Sequence, residues 1–467
     1  MIQGTRWLAG LQGLLCAGVL ALVAPVAATA QEAEAEVTFA SDVAPILQQN
    51  CQTCHRPGSV APMSLLTYED ARRYATRIKD QVERRIMPPW PMDTGVGIQR
   101  FQDDKSLSQE EINTIVQWVE DGAPMGDAAD MPPAIAWPAF GEKWAYEERF
   151  GRPPDAVVTS PSYTVSADGM DQWPTLPPVE VTAEMGVRGQ RWIQAVELRP
   201  SSVKSAMVFH HGSARVANRA AENVYIGPGS PQSPPGIRDT QRDQLAEAAV
   251  GVEGTIFPEG TGRLLMEGDQ IVFNPHYYPA ALSEDLPGAA LQVGVWLYPE
   301  GTVVTPSDGD LVYDQTRMAG MEDTPLLVPP NSRAEYRSAF RLEGNAQIHS
   351  IRGHMHLLGA FNVLEAIYPD GRYELLQKLN WDQRWHTAFL YEEDARPLLP
   401  KGTVLIITST YDNTTNNTLA PDPDQWVMQG SRTADEMFRL RLGTTFYSDD
   451  DFAKLVAERE RRPLAAR

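Results

Sequence analysis

Cysteine is nearly absent from this chain. Its 467 residues hold three, Cys16, Cys51 and Cys54. Cys16 falls in the first thirty residues, and Cys51 and Cys54 share one short motif, so no pair remains for a structural disulfide. Domains of the size this length allows bury enough apolar surface to stand without such staples. Positive charge is also scarce. Forty Lys and Arg against 61 Asp and Glu leave a formal net charge of −21 and a pI of about 4.8. A surface of that sign argues against nucleic acid and anionic membranes as partners and suits small or cationic ones. No tandem repeat is present.

The opening thirty residues carry one charge, Arg6. An apolar run over 8–26 and the small residues Ala28-Thr29-Ala30 follow, the pattern of a secretory signal. An uncleaved anchor is the alternative, since the run approaches the ~20 residues that span a bilayer. The expected location is periplasmic or extracellular, less readily a membrane-anchored one.

At roughly 100–200 residues per domain, the length allows two to four domains. Residues 37–125 read as helical. Phe39, Val43, Ile46 and Leu47 follow helical spacing. Ser108 and Glu111 form a capping box flanked by the staple pair Leu107 and Ile112. Gly122 is placed to end that helix. The Pro-, Ala- and Gly-rich residues 126–156 read as a linker. Beyond them the helical period fades. Runs such as RWIQAVEL, QIVFNPHYY, LQVGVWLYP and GTVLIITSTY are rich in β-branched and aromatic residues and are separated by turn residues. The expectation is a multidomain protein. A small all-α domain precedes two all-β jelly-roll or sandwich domains at 157–310 and 311–447, with a short charged tail at 448–467.

Cys51-Gln-Thr-Cys54-His55 is C-x-x-C-H, the pattern of covalent c-type haem attachment with His55 as an axial ligand. A redox or zinc CxxC is the alternative. An electron carrier would use a thioether as second ligand, and Met63, Met87 and Met92 are available. Met87 is favoured because Pro88-Pro89 stiffen the loop that presents it; Met92 is the second choice. The region resembles a class I cytochrome c, in which a Met-Pro loop precedes the last helix.

Seven further histidines occur: His210, His211, His276, His349, His354, His356 and His386. His354-Met355-His356 is an H-x-H, and on a strand both imidazoles would share a face. His210 and His211 are adjacent, so joint ligation needs a bulge or strand end, which Gly212 could permit. His276 stands alone in NPHYYP, where a buried structural role is the simpler reading. His349 and His386 read as structural, with His386 in RWHTAF placed to orient a ligand.

The order HH, lone His, H-x-H, then a methionine in Asp435-Glu436-Met437 resembles the type II copper, ascorbate-dependent monooxygenases, the family of the peptidylglycine α-hydroxylating and dopamine β-monooxygenases. The likeness covers roughly 157–447 and consists of motifs in order. It implies an electron-transfer copper on His210, His211 and His276, and an oxygen-activating copper on His354, His356 and Met437. It implies two consecutive β-sandwich domains with one copper each. The peptide-amidating members have a substrate-binding Arg two residues before H-x-H, where Arg352 stands, and a Tyr where this chain has Arg441. Arg352, Arg439 and Arg441 are therefore candidates for binding an anionic substrate, with pairing to neighbouring acids as the alternative.

These readings join in one expectation. The chain is a monooxygenase that hydroxylates a small organic molecule with O2. Haem c passes electrons singly from a periplasmic cytochrome or quinol-linked chain to the copper at His210, His211 and His276, and thence to the second copper. A non-enzymatic copper-binding or redox-sensing protein is the alternative, and a haem protein whose β-domains only dock a partner is a third.

Overall fold

The computed structural model describes residues 36–461 apart from 58, 60, 62, 103, 140, 169–170, 219–243, 250–253, 280–281, 307–308, 315–325 and 431. The signal reading over 1–30 lies outside the described residues, as does the end of the tail.

Four α-helices form the N-terminal segment: Ala44–Asn50, Tyr68–Arg73, Ala75–Glu83 and Gln109–Glu120. Their starts follow from local chemistry. Thr67 accepts from Asp70 N at 3.1 Å. Ser108 Oγ accepts from Glu111 N at 3.2 Å while Glu111 Oε2 accepts from Ser108 N at 2.8 Å, closing the capping box. The apolar stripes meet in one core that buries Phe39, Leu47, Ile78, Ile115 and Trp118.

This segment is not helical throughout. Met92–Gly97 is a strand, and it pairs with Tyr373–Asn380 far along the chain. Trp90 and Phe101 pack on Phe389, with ring centroids 4.8 and 5.9 Å away. Gly97 has φ +73°, and a Cβ there would meet Leu376 O at 2.3 Å, so the backbone lies directly on the neighbouring strand.

The rest is mostly antiparallel sheet. A six-stranded sheet in the order 305–306, 261–266, 190–200, 291–297, 156–159, with 254–256 pairing 190–200, shares a core with a four-stranded sheet, 179–180, 270–277, 209–218, 244–249. Val158, Ile193, Leu198, Ile271, Phe273 and Val293 fill it. A second core joins the five-stranded sheet 92–97, 373–380, 359–367, 404–413, 332–341 to the sheet 309–314, 439–447, 345–354, 389–390. Ile348, Ile351, Leu364, Ile407, Leu440 and Leu442 lie there. Ser332–Arg341 shows why the chain adopts strands: its residues alternate inward and outward with the period of two that a half-covered sheet requires. The architecture is β-rich and consistent with β-sandwich domains. Among the described residues no helix is long and apolar enough to cross a membrane.

Candidate metal centre

The 209–218 and 270–277 strands pair antiparallel with His211 opposite His276. The register then shifts, since Tyr277 pairs with Phe209 and His210 is passed over. That irregularity turns both adjacent histidines toward one point, as the sequence requires for joint ligation. Gly212 makes it possible: a Cβ there would meet the Phe209 ring at 2.9 Å.

His276 Nδ1 lies 3.2 Å from His210 Nδ1 and 3.0 Å from His211 Nε2. Nitrogens bound at about 2.0–2.1 Å to one ion stand roughly 3–3.6 Å apart, so the spacing fits shared ligation. His276 Nε2 donates to Asp171 Oδ1 at 2.8 Å, and Thr433 Oγ1 donates to Asp171 Oδ2 at 3.0 Å. A carboxylate on one ring nitrogen fixes the tautomer and leaves Nδ1 bare for a metal. Gln172 holds Asp171 in place by paired backbone bonds with Tyr277 of 2.9 and 3.0 Å. Trp173, half exposed, stacks on His276 with centroids 4.3 Å apart.

His354 is the last residue of the 345–354 strand, and His356 lies just past it, in the turn before Gly359–Ile367. The H-x-H expected on a strand is thus split across a strand end, yet the two rings remain 5.3 Å apart. Glu436 holds the turn. Its buried carboxylate accepts from His356 N at 2.9 Å and Leu358 N at 2.6 Å. Burial pushes the Glu436 carboxyl up to about 7 against those bonds, which favour the charged form. His356 Nδ1 donates to the Asp435 carbonyl at 3.0 Å. Half-buried Met437 follows directly, its carbonyl accepting from Tyr411 Oη at 2.8 Å.

The two histidine sets are neighbours. His211 and His354 have ring centroids 6.1 Å apart, and His386 packs between the sets. Burial lowers the basicity of His210 to about 4 and of His386 to about 3, with His211 and His354 also well below the usual imidazole value. Neutral imidazole is the form that ligates metals. His349 is remote from this cluster in role: it is buried, and neither ring nitrogen has a protein partner.

The arginines behave otherwise. Arg352 and Arg441 face each other across the 345–354 and 439–447 strands, and both form ion pairs with Glu247. Arg439 is opposite His354 in the same register. The pairing alternative weighed for Arg352 and Arg441 is the arrangement present.

In the helical segment, Cys51 and Cys54 lie in the turn that follows the 44–50 helix. Burial, with Cys54 and Glu111 adding, pushes the Cys51 thiol up to about 12, far from a thiolate. His55 Nδ1 donates to the Met63 carbonyl at 3.2 Å, which leaves Nε2 bare. Met92 lies in the second β core, 3% exposed, and its sulfur accepts from Gln377 Nε2 at 2.7 Å. Met87 instead lines a cavity of about 370 Å3 together with Ile112, Trp381 and Trp385.

Three residues that the sequence reading did not place at the cluster prove central. Asp171 and Trp173 sit in a turn-rich stretch with no motif. Trp381 donates from Nε1 to the His356 carbonyl at 2.8 Å and packs 4.9 Å from His386. A buried Trp needing a partner for its N–H was the only signal for it.

No protein-family model matches the chain, and no curated protein matches it. Among solved structures, the VP2 subviral particle of infectious bursal disease virus is 10% identical, covering 64% of this chain and 74% of that one at a TM-score of 0.16. A mutant Bacillus subtilis oxalate decarboxylase is 9% identical, with 70% and 93% covered and a TM-score of 0.14. Likenesses this slight carry no argument.

Proposed function

We propose that this chain is a copper-dependent monooxygenase that hydroxylates a C–H bond of a small organic molecule, with a covalently attached c-type haem as its built-in electron donor. The observation that carries the reading is the convergence of His210 Nδ1, His211 Nε2 and His276 Nδ1, with Asp171 on the far nitrogen of His276, beside His354, His356 and Met437. Imidazoles suit copper, and a thioether favours Cu(I) over hard ions. Zinc rarely takes methionine. The order of these residues is what gives the likeness to the type II copper monooxygenases.

The residues of the helical segment fit a c-type haem. Two thiols stand three residues apart, that of Cys51 held protonated by burial, and His55 is fixed through Nδ1 by a backbone acceptor. The Met92 thioether is engaged by Gln377, so Met63 and Met87 remain as second ligands, with Met87 favoured for its stiff Pro88-Pro89 loop. Covalent haem attachment and the leader pattern both point to an exported, periplasmic or extracellular protein.

When bound, copper would supply O2 activation and haem would supply single electrons. The balanced reaction takes substrate, O2, two electrons and two protons to an alcohol and water. This chain's own contribution is to hold the sites dry, neutral and close. Trp381 stands between the Met87 cavity and the imidazoles of His354 and His386. That favours electron entry on the His354 side, in place of the entry at His210, His211 and His276 expected from sequence. Glu247 offsets one of the two positive charges of Arg352 and Arg441 and engages both side chains, which favours a neutral over an anionic substrate.

The test is stopped-flow oxidation of the reduced haem. Copper-loaded protein given O2 and substrate reoxidises its haem faster than copper-free protein; equal rates contradict the relay.

A further inference from the structure

The ion pairs of Arg352 and Arg441 with Glu247 border a cavity of about 30 Å3 that the copper and haem reading leaves unused. It lies where strands of the two β cores meet. Glu247, Thr255 and Arg263 reach it from the 244–249, 254–256 and 261–266 strands of the first. Ser350, Arg352 and Arg441 reach it from the 345–354 and 439–447 strands of the second. The register explains the last three. Ser350 pairs with Gly443 and Arg352 with Arg441, and the period of two puts Ser350 and Arg352 on one face. Gly443 keeps that face open, since a Cβ there would collide with Ser350 Oγ.

Three of the lining side chains are guanidiniums and one is a carboxylate, a formal excess of two positive charges. Arg352 and Arg441 are like charges directly opposed across two strands, an arrangement that destabilises a sheet. Glu247 engages both and can cancel only one charge. Their side chains are 12% and 11% exposed, so bulk water screens little of the remainder. Arg441 Nε has no protein acceptor. Burial lowers the basicity of Arg441 to about 10, the mark of a cation short of solvent. A water in the cavity would accept from these donors and leave the excess charge. A compact anion answers both needs. The volume holds about one or two water-sized particles, enough for a halide and too little for an organic substrate.

We propose that this cavity binds one small monovalent inorganic anion of the halide class. Arg352 and Arg441 hold it from the second β core and Arg263 from the first, so the anion pins the two cores together. The site is separate from the histidine cluster, and the inference does not depend on copper, haem or the proposed reaction. It also gives the arginines a ligand other than the substrate.

The full-length protein is dialysed into sodium gluconate, whose anion is too large for the cavity. Sodium chloride then replaces gluconate at constant ionic strength, and chloride NMR line width and Tm are followed together. Crystals grown in sodium bromide locate the ion by anomalous scattering. Wild type is expected to show one bromide among Arg263, Arg352 and Arg441, with line width and Tm saturating at the same chloride midpoint. Arg441→Gln and Arg263→Gln should bind chloride on the order of 10–100-fold more weakly, as loss of one charge-assisted hydrogen bond implies. Arg333→Gln, at a side chain 58% exposed, should keep the wild-type midpoint. Arg263→Gln stands in should Arg441→Gln fail to fold, and the wild-type bromide map depends on neither. A map with no bromide in the cavity would overturn the inference, as would a chloride response that never saturates or a wild-type midpoint in both cavity variants.

Discussion

His354 Nδ1 and His386 Nδ1 lie 3.3 Å apart although 32 positions separate them in the chain. The contact forms because the 345–354 strand ends at His354, just where the loop after Asn380 folds back across it. Trp381, anchored to the His356 carbonyl, fixes that loop against the turn. Much of the proposed chemistry depends on this meeting of a strand end and a loop.

Asp171→Ala should weaken the site at His210, His211 and His276. The carboxylate sets the tautomer of His276, and loss of such a partner costs ~10–100-fold in metal affinity. Competition against a Cu(I) chelator measures it. Unchanged affinity would mean that Asp171 plays no part in ligation.

Glu436→Ala removes the acceptor of two buried backbone donors, His356 N and Leu358 N. Leaving both unmade predicts a loss of about 2–4 kcal/mol in unfolding free energy. Denaturant unfolding of the metal-free protein reads this directly. The same variant should loosen the copper held by His354 and His356, since the turn that aims His356 loses its anchor.

Glu247→Ala strands the guanidiniums of Arg352 and Arg441 in a largely buried place. Removing one partner of such a group destabilises by about 3–5 kcal/mol. Arg352→Ala and Arg441→Ala should lower Tm while leaving KM for a neutral substrate unchanged. A large rise in KM without loss of stability would restore the substrate role that the family likeness suggested.

His349 predicts a pH dependence for the metal-free protein. Burial lowers its basicity from an ordinary 6.5 to about 3. Between those values the unfolded chain binds a proton that the folded chain does not, so stability is full above about 6.5 and falls as pH drops toward 3. Urea titrations at pH 7 and pH 5 measure it. His349→Leu should reduce the slope by the share of one buried imidazole, since His210, His211, His354 and His386 are lowered in the same direction; an unchanged slope would assign the dependence to those groups alone.

Trp381→Ala should slow haem reoxidation while leaving the haem spectrum intact, because the indole separates the Met87 cavity from His386 and His354. Stopped-flow traces that match wild type would place electron entry elsewhere.

The β-rich architecture was legible because its strands carry alternation and β-branched residues, signals local to each run. The convergence of His210, His211 and His276 was legible only through the family likeness, since a strand by itself points adjacent histidines apart; the register shift at Tyr277 resolves that conflict. Met92–Gly97 was hidden because MDTGVG has two glycines and little alternation, and its partner strand is far away in sequence. Asp171 and His386 were hidden for a related reason: each reaches the cluster from a loop, where no periodicity tells which way a side chain faces.

The most direct measurement of the central claim is a single turnover of copper-loaded, fully reduced protein with 18O2 and a C–H substrate, with Met437→Ala as the comparison. The account predicts one labelled oxygen atom in the alcohol product, haem oxidation in step with it, and loss of both in the variant. Label recovered only in water or peroxide, with no alcohol formed by wild type across the substrates tried, would contradict it.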